Sequence, residues 1–279
     1  RRSAWSLRCQ ADGAIHDRAT SMPDGLLTQF TTATPSHFAH QDIFDANDSV
    51  VLVGSTGTLV WCDAASDVET GEGSRGNLIR YDSPEFAGFQ VKAHYGEDDI
   101  WGVALTYEGD VGEFAVEGGI GYGEMTENDE ECTETGTGTA KCREWGGSLS
   151  VMHKPSGLFA TGSYGEREDE QKALTGAGAT DGISHWMAQG GIEQKWIPLG
   201  ETTFFGGYQK HDSGAFVDGG NLYDVEIDMW EIGLNQHLSA AAMDLYIHYK
   251  HYDADVTTTA GAVDTEAFQT VITGAHIKF

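Results

Sequence analysis

The chain has 279 residues, 44 acidic against 16 basic, and a formal charge of −28. That acid excess argues against a nucleic-acid partner, which needs a basic footprint. No run of about 18 to 20 apolar residues is present to build a transmembrane helix, so a helical membrane protein is excluded.

Gly is abundant at 37 residues, Pro is scarce at 5, and aromatics make up 10% of the chain. Gly is costly inside helices and aromatics suit strands, so this composition favours many strands joined by Gly-containing turns; the length allows one large or two ordinary domains, and an all-β barrel would use all of 1–279 as one. The N-terminal "RRSAWSLRCQ" lacks Met and an apolar segment, so it is not an intact signal peptide; no hydrophobic stretch follows Arg1 and Arg2, which argues against a twin-arginine signal.

From residue 76 the sequence alternates with period 2, the signature of two-faced strands. In "FQVKAHY", Phe89, Val91, Ala93 and Tyr95 share one face and Gln90, Lys92 and His94 the other. "WGVALTY" sets Trp101, Val103, Leu105 and Tyr107 against Gly102, Ala104 and Thr106. "MDLYIHYK" opposes Met243, Leu245, Ile247 and Tyr249 to Asp244, Tyr246, His248 and Lys250. At the end of the chain Val271, Thr273, Ala275, Ile277 and Phe279 face one way, and Gly274, His276 and Lys278 the other.

The whole region yields about eleven strands, at 76–82, 87–96, 100–108, 112–123, 144–154, 157–166, 185–197, 201–211, 224–237, 241–252 and 267–279. Their connections alternate in length. "EGDVGE", "KPSG", "IPLGE" and "LSAAAM" are short; "MTENDEECTETGTGTAKC", "EREDEQKALTGAGATDG", "DSGAFVDGGN" and "DADVTTTAGAVDT" are long and polar.

Short turns at one end and long loops at the other describe an up-and-down antiparallel β-barrel. Trp101, Tyr107, Phe114, Tyr122, Trp145, Trp186 and Trp196 lie near strand ends, where an interfacial aromatic girdle belongs. The apolar face is therefore expected to meet lipid and the polar face a wet lumen. There Lys92, Glu117, Glu231, Asp244 and Lys250 would need no partners, whereas in a soluble core each would.

Two stretches carry a resemblance. The closing strand, with Thr273, Ala275, Ile277 and Phe279 outward, resembles the C-terminal insertion signal of bacterial outer-membrane porins. "RGNLIRYDSPEFAGFQVKAHYG", with Tyr81, Ser83, Pro84, Phe86, Gly88 and Phe89, resembles the strand after the constriction loop in the sixteen-stranded, trimeric general-diffusion porins of Gram-negative bacteria.

In that family eleven strands follow the loop, and eleven is the count that periodicity alone gives from residue 76 to 279. The resemblance implies an outer-membrane barrel of about thirteen represented strands, with 24–75 as the inward-folded constriction-loop region. "RRSAWSLRC" and "DGAIHDRATSM" read as remains of the fourth and fifth strands, so the barrel is expected to be N-terminally incomplete. Two unpaired edges in lipid would each cost several kcal/mol per unsatisfied group.

The resemblance also implies a site. Asp42, Asp45, Asp48, Asp63, Asp67, Glu69 and Glu72 would narrow the pore from the loop. Arg2, Arg8, Arg18, Arg80 and Lys92, with Arg75 near the loop end, would face them as a basic wall. Opposed charges across a constriction orient dipolar solutes, and an acid excess favours cations.

Cys132 and Cys142 share one long loop, so in an oxidising envelope compartment they are expected to form a local disulfide. Cys9 and Cys62 suggest no function. The acids at 97–99 and 127–132 are a conceivable Ca²⁺ site, but they match no EF-hand spacing, and a merely acidic surface loop accounts for them better. No zinc motif or GxSxG is present. "GGIGYG" at 118–123 lies inside an alternating strand, so it is not a dinucleotide fingerprint.

The function expected is cofactor-free passive diffusion of small hydrophilic solutes and ions, with a cation preference, through a homotrimer in a Gram-negative outer membrane. Its surroundings would be outer-membrane lipid, lipopolysaccharide and the barrel-assembly machinery. A barrel enzyme or adhesin, and a secreted acidic β-rich binding protein, are the alternatives.

Overall fold

The structure is a computed structural model that describes residues 52–53, 57–58, 78–96, 99, 101–125, 142–169, 182–218, 221–258 and 260–277. Fourteen strands are assigned among them: β1 (Leu52–Val53), β2 (Gly57–Thr58), β3 (Leu78–Asp82), β4 (Phe89–Gly96), β5 (Trp101–Val111), β6 (Phe114–Met125), β7 (Cys142–His153), β8 (Leu158–Asp169), β9 (Gly182–Ile197), β10 (Gly200–Asp218), β11 (Asn221–Leu238), β12 (Met243–Thr258), β13 (Gly261–Val263) and β14 (Phe268–Ile277). No helix among the described residues is long and apolar enough to cross a membrane.

β1 and β2 form a separate two-stranded pair, and the other strands form one 12-stranded sheet. From β3 to β12 each strand pairs antiparallel with the next in sequence, and β14 returns to pair with β12. This is the expected up-and-down order. β3 forms one edge of the sheet and β13 and β14, both paired to β12, form the other; no pairing joins the two edges among the described residues.

Eleven strands match the periodic segments one for one. β13 is a three-residue addition that extends the end of β12, pairing Val256 with Val263.

The short turns have physical signatures. Phe86 and Phe89 exchange both backbone hydrogen bonds at 2.9 Å. Between them Ala87 and Gly88 have φ of 53° and 84°, the left-handed pair whose twist matches a two-residue hairpin. At the β7–β8 turn Gly157 takes φ 66° and donates to the His153 carbonyl at 2.8 Å.

Two expected long loops are mostly strand. β10 and β11 continue pairing from Asp212↔Glu226 through a register shift to Asp218↔Asn221, so "DSGAFVDGGN" belongs largely to a hairpin. Much of "DADVTTTAGAVDT" lies in β12 and β13. The apolar residues change face on the way into them, Ala254 and Val256 being buried, because a strand that has left the bilayer no longer needs an apolar lipid-facing side.

Strand length supports that reading. A tilted strand needs about 9 to 11 residues to cross the hydrocarbon; β5 has 11, and β6, β7 and β8 have 12 each. β9, β10, β11 and β12 run to 16, 19, 18 and 16 and must project beyond it.

Candidate functional site

Pairing fixes which side chains share a face, because directly opposed residues point the same way. One face, here called outer, is apolar and uncovered: Val91, Val103, Leu105, Ile120, Leu149, Phe204, Ile232, Leu234, Ile247 and Val271 are all exposed. A water-soluble monomer rarely leaves so large an apolar surface open. A bilayer is the solvent that such a face suits.

Two aromatic rows bound this face. At the long-loop end Trp101 packs on Tyr122, Trp145 on Tyr164, Trp186 on Tyr208 and Trp230 on Tyr249, with ring centroids 5.5, 5.1, 5.2 and 5.3 Å apart. Several of the tyrosine hydroxyls reach upward to carboxylates: Tyr122 to Glu124 at 3.1 Å, Tyr164 to Glu166 at 3.2 Å, and Tyr208 to Asp228. At the short-turn end Phe89 meets Tyr107 at 4.7 Å and Phe114 meets His153 at 5.0 Å. An amphipathic ring with its polar tip toward water belongs at headgroup level.

Above the upper row the two faces exchange character. Along β11 the apolar residues are Trp230, Ile232 and Leu234 on the outer face, then Met229, Ile227 and Val225 on the inner one; β12 changes likewise between Tyr249 and Tyr252. The pairing from Asp224↔Thr257 to Leu238↔Met243 shows no register shift, so the strands do not slip and the side chains themselves invert. Val225, Ile227, Met229, Tyr252, Ala254 and Val256 are buried. Asp224, Glu226, Asp228, Asp253 and Asp255 take the outer face beyond the girdle.

The inner face below that level is polar. On the β3–β4 ladder Arg80 opposes His94 and Asp82 opposes Lys92. The Arg80 guanidinium grips Asp82 through Nε at 2.7 Å and Nη2 at 3.1 Å. Arg80 therefore lies on the face opposite Ile79 and Tyr81, as its phase predicts, and carries a carboxylate partner that the sequence reading did not assign.

Next to this cluster the inner wall is nearly bare: Gly102 pairs with Gly123, Ala104 with Gly121, Gly121 with Gly146 and Gly146 with Gly165. A Cβ on Gly102 would sit 2.4 Å from His94 Cε1. The "GGIGYG" glycines thus serve close strand packing inside β6, and those of the inner face leave room against the wall.

Further round, Ser150 and Thr161 hydroxyls are 2.9 Å apart, and His237 meets Asp244 at 2.7 Å. His248 meets Asn235 at 2.9 Å. Glu231 and Lys250 form an ion pair at 3.3 Å, with side-chain exposures of 3% and 0%.

The expectation that Glu231, Asp244 and Lys250 would need no partners is therefore corrected. The wall is packed closely enough here that each charge is matched across the ladder. Glu117 opposes Glu108 and Ser150, and its Oε2 is buried with no hydrogen-bond partner among the described residues.

Of the other expected site residues, Arg2, Arg8, Arg18, Asp42, Asp45, Asp48, Asp63, Asp67, Glu69, Glu72 and Arg75 lie outside the described residues. So do Cys132, the side chain of Cys142, Phe279 and most of the acids at 97–99 and 127–132. Asp99 is described and accepts a hydrogen bond from the Tyr95 hydroxyl at 2.8 Å. Among the described residues no three His, Cys, Asp or Glu side chains converge as a metal centre would need.

The inner polar tier of Ser150, Thr161, Gln189, Gln209 and His211 was not singled out in the sequence. Its signal was present, since each alternates with an outer residue.

A bilayer-spanning meander with an apolar outside, aromatic boundaries and a polar inside is the build of an outer-membrane channel wall. A family model described as Gram-negative porin matches residues 27–274, and the chain belongs to that family; its place is the outer membrane.

No curated protein matches it. Among solved structures, an anion-selective porin from Comamonas acidovorans is similar at 17% identity and a TM-score of 0.48, over 71% of this chain and 58% of that one. Outer-membrane-expressed OmpT of Vibrio cholerae is similar at 15% identity and 0.42, over 82% and 69%. Its in-vitro folded trimer form is similar at 15% and 0.42, over 71% and 62%.

Proposed function

We propose that the chain forms the wall of a water-filled channel for passive diffusion of small hydrophilic solutes and ions, with a preference for cations, and that it does no covalent chemistry. The observation that carries this reading is the two-faced wall: exposed Ile, Leu, Val and Phe outside, and Arg80, Lys92, His94, Thr106 and Ser148 inside. A lumen lined by such groups admits water and hydrated ions. The acid excess of the whole chain supports the cation preference, because a negative field raises local cation concentration.

In lipid an unpaired strand edge is costly, so the working channel closes the sheet between β3 and β14 with further strands. The family supports assembly as a homotrimer, embedded among lipid and lipopolysaccharide after insertion by the barrel-assembly machinery. Proteoliposome swelling tests the reading. Entry of small sugars that falls with solute size supports it, and vesicles as tight as protein-free ones reject it.

A further inference from the structure

His185 and His211 are direct partners on β9 and β10, both on the inner face. Their rings are nearly parallel, 16° apart, with centroids separated by 5.8 Å. His211 is only 5% exposed, and neither of its ring nitrogens has a hydrogen-bond partner among the described residues.

A buried imidazole without a partner is unfavourable. An apolar side chain would avoid that cost, as Ile227 does in the next position of the same tier, where it opposes His211. On the other side His185 opposes Gly165, which offers no side chain to fill the space. The tier therefore presents two directly opposed imidazoles, with Ile227 as the next partner on one side and Gly165 on the other.

We propose that His185 and His211 together bind a borderline divalent cation of the Zn²⁺, Ni²⁺ or Cu²⁺ kind on the channel wall. Neutral imidazole nitrogen suits these ions, whereas Ca²⁺ and Mg²⁺ require oxygen ligands. Rotation about χ2 turns one nitrogen of each ring toward a shared point, where ligand distances of about 2.0 to 2.1 Å apply.

No third His, Cys, Asp or Glu converges there among the described residues, so the two imidazoles are the protein ligands proposed. Two protein ligands hold an ion less tightly than the four of a structural zinc centre. This inference does not depend on conduction.

The test is equilibrium titration of the folded full chain in detergent with Zn²⁺ and with Cu²⁺, alongside electron paramagnetic resonance of the copper form. The expected result is one equivalent with nitrogen couplings, weakened tenfold or more by either His185→Gln or His211→Gln and unchanged by His153→Gln. Folding is checked by heat-modifiable migration. If His211→Gln does not fold, His185→Gln carries the test from the half-buried partner. Unchanged affinity in the folded variants, or no bound equivalent in the parent protein, overturns the proposal.

Discussion

Glu231 and Lys250 stand opposite each other on β11 and β12, carboxylate 3.3 Å from ammonium, and both are closed off from solvent. Taking one charge away leaves the other buried and unmatched, which costs about 3 to 5 kcal/mol, whereas replacing both by apolar groups of similar volume is often neutral or stabilising. Lys250→Met alone and Glu231→Leu alone are therefore expected to destabilise the folded protein by that amount, and the double variant to recover most of it. Urea unfolding in lipid vesicles, followed by tryptophan fluorescence, reads the difference. Additive losses in the double variant would contradict the pairing.

The exchange of faces above the Trp230 level sets where the bilayer ends. A cation at the midplane of a barrel's lipid face costs about 2 to 4 kcal/mol, falling to about 0 to 1 kcal/mol near the interface. Leu149→Arg, between the aromatic rows, should show the full cost. Asp253→Arg, beyond the upper row on the same face, should lie at or below the lower figure. Equal losses at the two positions, measured by the same vesicle unfolding, would mean that the boundary is misplaced.

Much of this wall was legible in the sequence because a strand's side-chain period is 2 whatever surrounds it. Phe89 to Tyr95 and Met243 to Tyr249 gave the outer phase directly, and Arg80 was placed inward by its neighbours Ile79 and Tyr81. What periodicity cannot show is which solvent each face meets. In "DVEIDMWEIGLN" the apolar phase moves by one residue between Met229 and Trp230, and such a shift reads equally well as a bulge or as a strand end. Only the unbroken ladder to β12 shows that the faces themselves invert. The pairing of Glu231 with Lys250, and of His185 with His211, depends on register between strands, which a single chain's alternation leaves open.

Gly157 is held by geometry at the β7–β8 turn. Its φ is 66°, and an added Cβ would lie 1.7 Å from the Glu193 carbonyl oxygen. A backbone atom cannot rotate aside as a side chain can, so Gly157→Ala combines left-handed strain, of order 1 to 3 kcal/mol, with displacement of β9. The expected outcome is a reduced yield of heat-modifiable, protease-resistant protein on refolding. Gly112, with φ of 64° but nothing within 4 Å of its Cβ position, is the matched comparison: Gly112→Ala carries the strain alone and should refold better than Gly157→Ala.

Arg80 holds Asp82 in a two-point grip on the inner face, within an exposed part of the wall. Arg80→Gln removes a positive charge and leaves Asp82 with Lys92 alone opposite it, so it should move the reversal potential in a salt gradient toward stronger cation selectivity. Asp82→Asn should move it the other way. Both shifts should shrink at high salt, where screening shortens to about 3 Å at 1 M. Identical reversal potentials in the parent and both variants would place this pair away from the ion path.

Single-channel recording in a planar bilayer under a KCl gradient tests the central claim most directly. The expected result is stable, ohmic conductance steps, grouped in threes, from protein that shows heat-modifiable migration, with a reversal potential displaced toward the potassium equilibrium value. A properly folded, heat-modifiable protein that inserts and passes no current would contradict the channel reading.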